Sequence, residues 1–144
     1  MSREYPQYPI LAVSAVIFNS SQSVLLIKRA NPPARNRWAL PGGAVQLGET
    51  PEGALQRETR EECGVEIEIG KVNQIASRVF HDASGKIQYH YIIINYTACI
   101  LSGEIRSGSD ALDSIWAPFS ELPRMDLAEG VYEVIQKAVQ KEGR

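Results

Sequence analysis

The stretch that most constrains this chain runs from Gly42 to Val65, GGAVQLGETPEGALQRETREECGV. It carries five glutamates, and three of them, Glu58, Glu61 and Glu62, fall within five residues of one another. Thr50 is an N-cap type of residue, Pro51 follows at the first helical position, and Glu52 lies in the first turn, where the helix dipole favours negative charge. Gly64 is placed to stop the helix in a left-handed conformation. On a helix so bounded, Glu58, Glu61 and Glu62 stand at i, i+3 and i+4 and converge on one face. Ala54 lies one turn earlier on the same stripe and leaves space, while Leu55 and Thr59 form a flank that turns to the core. Gly42 and Gly43, just upstream, mark a place of close backbone approach or positive φ.

Three carboxylates this close repel one another unless a cation compensates them. Oxygen-only ligation suits Mg²⁺, with Mn²⁺ as a substitute, and does not suit zinc sites built on histidine and cysteine. A magnesium ion held in this way keeps open positions for phosphate oxygens, polarises a phosphoryl group and lowers the pKa of an attacking water. Glu49 and Arg57 read as internal supports, because an arginine inside an acidic cluster fixes carboxylates through paired hydrogen bonds. The plain alternative is a solvated acidic face laced by pairs such as Arg57–Glu61. The flanking glycines and the proline-capped start argue against it.

The rest of the chain reads as scaffold. Its 144 residues suffice for one domain with a single core, taken as residues 1–144. A net charge of −2 excludes a global basic field that would recruit a nucleic-acid polymer or an anionic membrane. The N-terminus lacks a basic segment followed by a long apolar core, no apolar run is long enough to span a bilayer, and Cys63 and Cys99 offer no disulfide framework. A soluble cytoplasmic protein is expected. Ile10 to Phe18 and Val24 to Arg29 read as strands of a hairpin, and Asn31 to Trp38 as a proline-rich loop. Val65 to Phe80 reads as two strand pieces broken at Gly70, Ile87 to Leu101 as the longest strand, and Leu112 to Ala117 as a short one. Pro118 to Pro123 is a helical turn, and Leu127 to Lys141 has the apolar spacing of an amphipathic helix. This order of elements predicts an α/β fold, a mixed sheet packed between helices.

The residues from Gly43 to Val65 also match a family signature. They resemble the box of the Nudix hydrolases (MutT-like), G-x5-E-x7-R-E-U-x-E-E-x-G-U with U a bulky apolar residue. Gly43, Glu49, Arg57-Glu58, Glu61-Glu62, Gly64 and Val65 fall at the required spacing, and Thr59 at the first U is the one departure. VLLIKR ahead of the box, RWALPGG leading into it and Trp116 near the last strand extend the likeness along the chain. The resemblance implies an α/β/α sandwich with a mixed β-sheet, and hydrolysis of a P–O–P bond in a nucleoside diphosphate derivative. It assigns Glu58, Glu61 and Glu62 as metal ligands, joined by the Gly43 carbonyl, with Arg57 and Glu49 as partners in the site. The general base varies in this family; Glu58, Glu61 and a later acidic residue are alternatives, and among the later ones Asp110 is preferred to Asp113.

Around the box, Arg29 ends a strand directed toward it and is a candidate phosphate ligand. Arg37, with Arg35, lies in the proline-rich loop and is a second candidate. His90, between Tyr89 and Tyr91, is a candidate for contact with a base or ribose, and Phe80 and Tyr89 for stacking on a base. Each also has an ordinary structural role open to it, and both cysteines read as inert buried thiols. By resemblance the substrate is ADP-ribose or a nucleotide sugar, although the proline that often follows the box in ADP-ribose enzymes has no counterpart between Val65 and Pro118. A nucleoside triphosphate, including oxidised forms, is the runner-up. A nucleotide-binding module without catalysis fits less well, since all four box carboxylates are retained. A homodimer is the assembly the resemblance suggests.

Overall fold

The computed structural model describes residues 3–106 and 111–142. Strand β1 (Ile10–Ile17) lies between β4 (Gly42–Ala44), antiparallel to it, and β6 (Ile87–Ser102), parallel to it. β5 (Glu66–His81) pairs antiparallel with β6 and completes a four-stranded sheet in the order β4-β1-β6-β5. A second sheet has β2 (Ser23–Arg29) at its centre, flanked by β3 (Trp38–Ala39) and β7 (Ala111–Pro118), both antiparallel to it.

The mixed pairing and the flanking helices bear out the expected architecture. Helix α1 (Pro51–Cys63) covers one side, where Val13, Ala15, Ile17, Leu25, Ile27, Leu55 and Cys63 form a common core. Helix α2 (Val131–Lys141) covers the other, against Val16, Val24, Leu26 and a 3-10 segment at Phe119–Arg124. Strands β1 and β2 thus bury alternate residues on both faces, which is why they read as unbroken apolar runs.

Three expectations are corrected. β1 and β2 do not form a hairpin. Each is central in its own sheet with both edges occupied, and only a Phe18–Val24 bridge and an Asn19–Ser23 turn join them. β5 is one continuous strand, because register shifts between Ile69 and Gln74 absorb the irregularity that Gly70 suggests. α2 starts at Val131. Leu127 is instead bridged in parallel to Trp38, and Gly130 caps the helix at φ 81°. No helix among the described residues is long and apolar enough to cross a membrane.

Candidate active site

Helix α1 is capped as its sequence requires. The Thr50 hydroxyl accepts from Gly53 N at 3.0 Å, and Gly64 closes the other end at φ 73°. The buried residues Ala54, Leu55, Glu58, Thr59, Glu62 and Cys63 trace one stripe, so two box carboxylates share the buried face with apolar side chains. Thr59 is fully buried, and its hydroxyl donates to the Leu55 carbonyl at 3.0 Å. The polar atom in an apolar position is therefore satisfied by its own helix.

Pairing of β4 with β1 sets Gly42 and Gly43 opposite Ser14 and Val13, directly over this stripe. Gly42 has φ 152° and lies against the Val13 backbone so closely that a Cβ would fall 2.0 Å from the Val13 carbonyl oxygen. Its N–H donates to Glu62 Oε1 at 2.9 Å. At Gly43 a Cβ would meet the Glu58 carboxylate, 2.5 Å from Cδ. Gly42 is required by the close approach of β4 to the β1 backbone, and Gly43 by the approach of the strand to the Glu58 carboxylate.

Arg57 stands at the centre. Its Nε and Nη2 donate to the two Glu49 oxygens at 2.7 and 2.9 Å, its Nη1 to Glu58 at 2.9 Å and to Glu61 at 3.3 Å, and its Nη2 also to the Ala44 carbonyl at 3.2 Å. Hydrogen bonding to Arg57 lowers the Glu49 carboxyl to about 2, and Glu49 in turn raises the Arg57 guanidinium. Gln46 N donates to Glu49 Oε1 and ties the preceding turn into the same array.

The donor set fits a hard divalent cation. Three carboxylates, Glu49, Glu58 and Glu61, face one embedded guanidinium and a fourth, Glu62, accepts from Gly42 N; every donor is an oxygen, and Glu58 and Glu62 are nearly dry. As the side chains stand, Arg57 lies among them, and no three acidic, histidine or cysteine side chains among the described residues are drawn together around one point.

Glu58, Glu62, Gly42, Arg29 and Tyr89 line a cavity of about 460 Å³ beside this array. Arg29 is placed as expected at the end of β2, with Nε donating to the Pro33 carbonyl at 2.6 Å, and burial lowers its pKa. It also borders a second cavity of about 440 Å³, roofed by residues 128–131 and floored by alternate residues of β5 and β6, among them Arg78, Phe80, Tyr91 and Asn95. Arg37 lines that second cavity too, paired with Asp126 at 3.0 Å and donating to the Leu127 carbonyl.

Other candidates fall elsewhere. His90 lies 3.0 Å from the Ser77 hydroxyl, on the face of β6 opposite to Tyr91 and Asn95, and so points away from both cavities. Asp113 is exposed on β7 and accepts from Ser114 N. Asp110 lies outside the described residues. Cys99 is exposed, contrary to expectation, while Cys63 is buried. Residues missed in the sequence include Arg3, Gln74, Arg78 and Asn95, all lining the second cavity. Asn95 had a legible signal, an amide inside the apolar run IIINY. It donates to Ser14 and accepts from Asn73, forming a buried polar network on the cavity floor.

Buried carboxylates of one helix thus meet a glycine-bearing strand around one bracing arginine, and comparison with known proteins shows the family to which the chain belongs. The family model described as the NUDIX domain matches residues 9–138. The chain belongs to the Nudix hydrolase family, a class acting on phosphoric anhydrides. It is 34% identical over 118 residues to an ADP-ribose pyrophosphatase of Methanocaldococcus jannaschii, covering 82% of this chain and 67% of that protein. It is 30% identical over 129 residues to an 8-oxo-dGDP phosphatase of Homo sapiens, covering 89% of this chain and only 38% of the human protein. The NUDIX domain of Shewanella oneidensis NrtR in complex with ADP ribose superposes with a TM-score of 0.76 at 26% identity, over 95% of this chain and 90% of that one. Members of the family generally use divalent metals.

Proposed function

We propose that this chain is a magnesium-dependent pyrophosphohydrolase that cleaves a P–O–P bond in a nucleoside diphosphate derivative, with ADP-ribose or a nucleotide sugar as the substrate class. The observation that carries the reading is the pair of buried carboxylates, Glu58 and Glu62, set against Gly42–Gly43 and open to a cavity bordered by Arg29. Buried carboxylates are costly unless a partner compensates them.

Glu58, Glu61 and Glu62, with the Gly43 carbonyl, would hold the cation. When bound, Mg²⁺ or Mn²⁺ supplies Lewis acidity at a phosphoryl oxygen and a water of lowered pKa. Arg57 fixes the orientation of Glu58 and Glu61 and is itself fixed by Glu49. Arg29 neutralises phosphate charge at the border of the two cavities, and Phe80 and Tyr91 offer an aromatic wall for the nucleoside. Glu58 and Glu61 are the candidates for the general base among the described residues. Arg37 serves the cleft by holding its wall through Asp126.

The ADP-ribose reading is supported by the Methanocaldococcus relative and by the ADP ribose bound in the Shewanella domain. The human relative favours a second reading, an oxidised or ordinary nucleoside di- or triphosphate. The partner is a small nucleotide in either case, and a homodimer is the assembly proposed. Two free thiols suit the reducing cytoplasm.

A panel of nucleotides assayed with Mg²⁺ and Mn²⁺, comparing kcat/KM, separates the two substrate classes. Glu61→Gln and Glu58→Gln should each lower kcat/KM by at least about a hundredfold. Activity that persists in excess EDTA, or undiminished in both variants, would overturn the roles assigned to the box.

A further inference from the structure

The segment ahead of β1 is strapped to the far end of the β5–β6 pair. Tyr5 N donates to the Gln88 carbonyl at 2.8 Å, and the Tyr5 hydroxyl donates to Asp82 at 2.7 Å. Gln88 Nε2 donates to the Glu4 carboxylate at 3.0 Å. Asp82 is fixed in its turn by the N–H groups of Ser84 and Lys86. Tyr5 has φ 52°, a left-handed conformation that a non-glycine residue keeps only where its surroundings hold it there, and such residues cluster at functional sites.

The consequence is the position of Arg3. It borders both the cavity beside Glu58 and Glu62 and the cleft floored by β5 and β6, a position shared only with Arg29 and Gly42 among the described lining residues. Burial is the main cause that lowers the Arg29 pKa, and the charge of Arg3 lowers it further by a smaller amount. Two guanidinium groups beside one passage repel each other, and an anion between them turns that repulsion into two charge-assisted hydrogen-bonding partners.

We propose that Arg3 and Arg29 form a two-sided clamp on one phosphate of the diphosphate that joins the two halves of the substrate, with Arg3 delivered by the N-terminal strap. The clamp deepens the diphosphate reading above and rests on it for its catalytic meaning. It explains why a segment outside the sheets is tied down by Tyr5 and Glu4 rather than left to solvent. It also makes the ligand one that spans both cavities, with the box holding one phosphate and the arginines the other.

The test is calorimetric titration of inorganic pyrophosphate into the Mg²⁺-loaded protein, for the wild type, Arg3→Ala, Arg3→Lys and Tyr5→Phe. Arg3→Ala should weaken binding about tenfold and flatten its dependence on ionic strength. Arg3→Lys should recover part of the loss. Tyr5→Phe, which removes no charge, should weaken binding about threefold by loosening the strap. Unchanged thermal melting of Arg3→Ala verifies that the fold is intact. Equal Kd values for the wild type and Arg3→Ala, or no binding to the wild type, overturn the clamp. A protein that binds pyrophosphate through Arg3 yet hydrolyses no nucleotide keeps the clamp and loses the enzymatic reading, so the two failures are distinguishable.

Discussion

Replacing Gly43 by alanine tests whether that glycine is there for the carboxylate or for the chain. Its Cβ would lie 2.5 Å from Glu58 Cδ and 2.6 and 2.9 Å from the two oxygens. Carbon atoms in ordinary contact stay about 3.5 Å apart, so the carboxylate must retreat by about 1 Å. The obstacle is the far end of a flexible side chain, and moving it costs about 1 kcal/mol of stability as a displaced rotamer. A reacting group misplaced by about 1 Å loses about a hundredfold in rate. Gly42→Ala is the opposite case: its Cβ would meet Val13 O at 2.0 Å and Ser14 Cα at 2.7 Å, both backbone, at φ 152°. That overlap is relieved only by parting β4 from β1, at about 3 kcal/mol or more. Thermal melts and kcat/KM, with the Mg²⁺ concentration for half-maximal activity, should find Gly43→Ala folded, about a hundredfold less active and weaker for metal, and Gly42→Ala destabilised. Wild-type kcat/KM for Gly43→Ala at saturating metal, or an equal loss of stability in both variants, would refute the contact between Gly43 and Glu58 as the basis of the site.

Four further outcomes follow from the same geometry. Arg57→Lys should fail to restore what Arg57→Ala loses, about a hundredfold in kcat/KM, because an ammonium cannot reach Glu49, Glu58 and Glu61 together as the guanidinium does; rescue by lysine would reduce Arg57 to a point charge. The folded Glu49 carboxyl is depressed from 4.5 to about 2, so its stabilising contribution is complete above pH 4.5 and fades as the pH falls toward 2. The difference in melting temperature between wild type and Glu49→Gln should therefore shrink across that window and stay level above it. Cys63, buried and pushed up to about 12 by desolvation, should resist a thiol reagent that labels exposed Cys99, so one thiol reacts in the native protein and two in denaturant. His90→Ala should leave KM within about twofold of wild type, since His90 faces Ser77 and not the cleft; a larger rise would place the substrate on the other face of the sheet.

What was legible in advance was what a single helix encodes. Thr50, Pro51 and Gly64 announce its ends, and the spacing of Glu58, Glu61 and Glu62 announces its working face, because a period of 3.6 converts sequence distance directly into position. Arg57 and Glu49 were legible for the same reason, being eight residues apart across one cap. The hairpin expected from β1 and β2 was not there, because two runs apolar on both faces each sought the centre of a sheet. Sequence adjacency cannot state which strand will occupy an edge. Leu127 read as helical from its spacing, yet its neighbours' backbone groups were claimed by Trp38: Asp126 O accepts from Trp38 N, and Ala128 N donates to Trp38 O. Cys99 shares a face of β6 with Asn95, away from the α1-side core that takes in Ala98 and Ile100, and its exposure depends on what covers that other face, which no local pattern records.

The division between box and cleft also bears on how such an enzyme can change its substrate. The array of carboxylates around Arg57 lies within β4, α1 and the turn between them, a span of about twenty residues held by short-range contacts. The cleft draws on the N-terminal strap, β1, the loop after β2, β5, β6 and the turn into α2. Arg78 illustrates the difference: it lies under Gly130, where a Cβ would fall 2.2 Å from its guanidinium, and it donates to the Ser77 carbonyl of its own strand. Substitutions at Arg78, Gln74 or Phe80 alter the shape and charge of the cleft and leave the hydrogen bonds around Arg57 in place. Arg3→Ala belongs with them by position but borders both cavities. It should raise KM for every substrate with a diphosphate, whereas Arg78→Ala should change the ranking among nucleotides. A panel in which Arg78→Ala lowers kcat/KM by the same factor for all nucleotides would show that Arg78 serves the chemistry and not the choice of substrate.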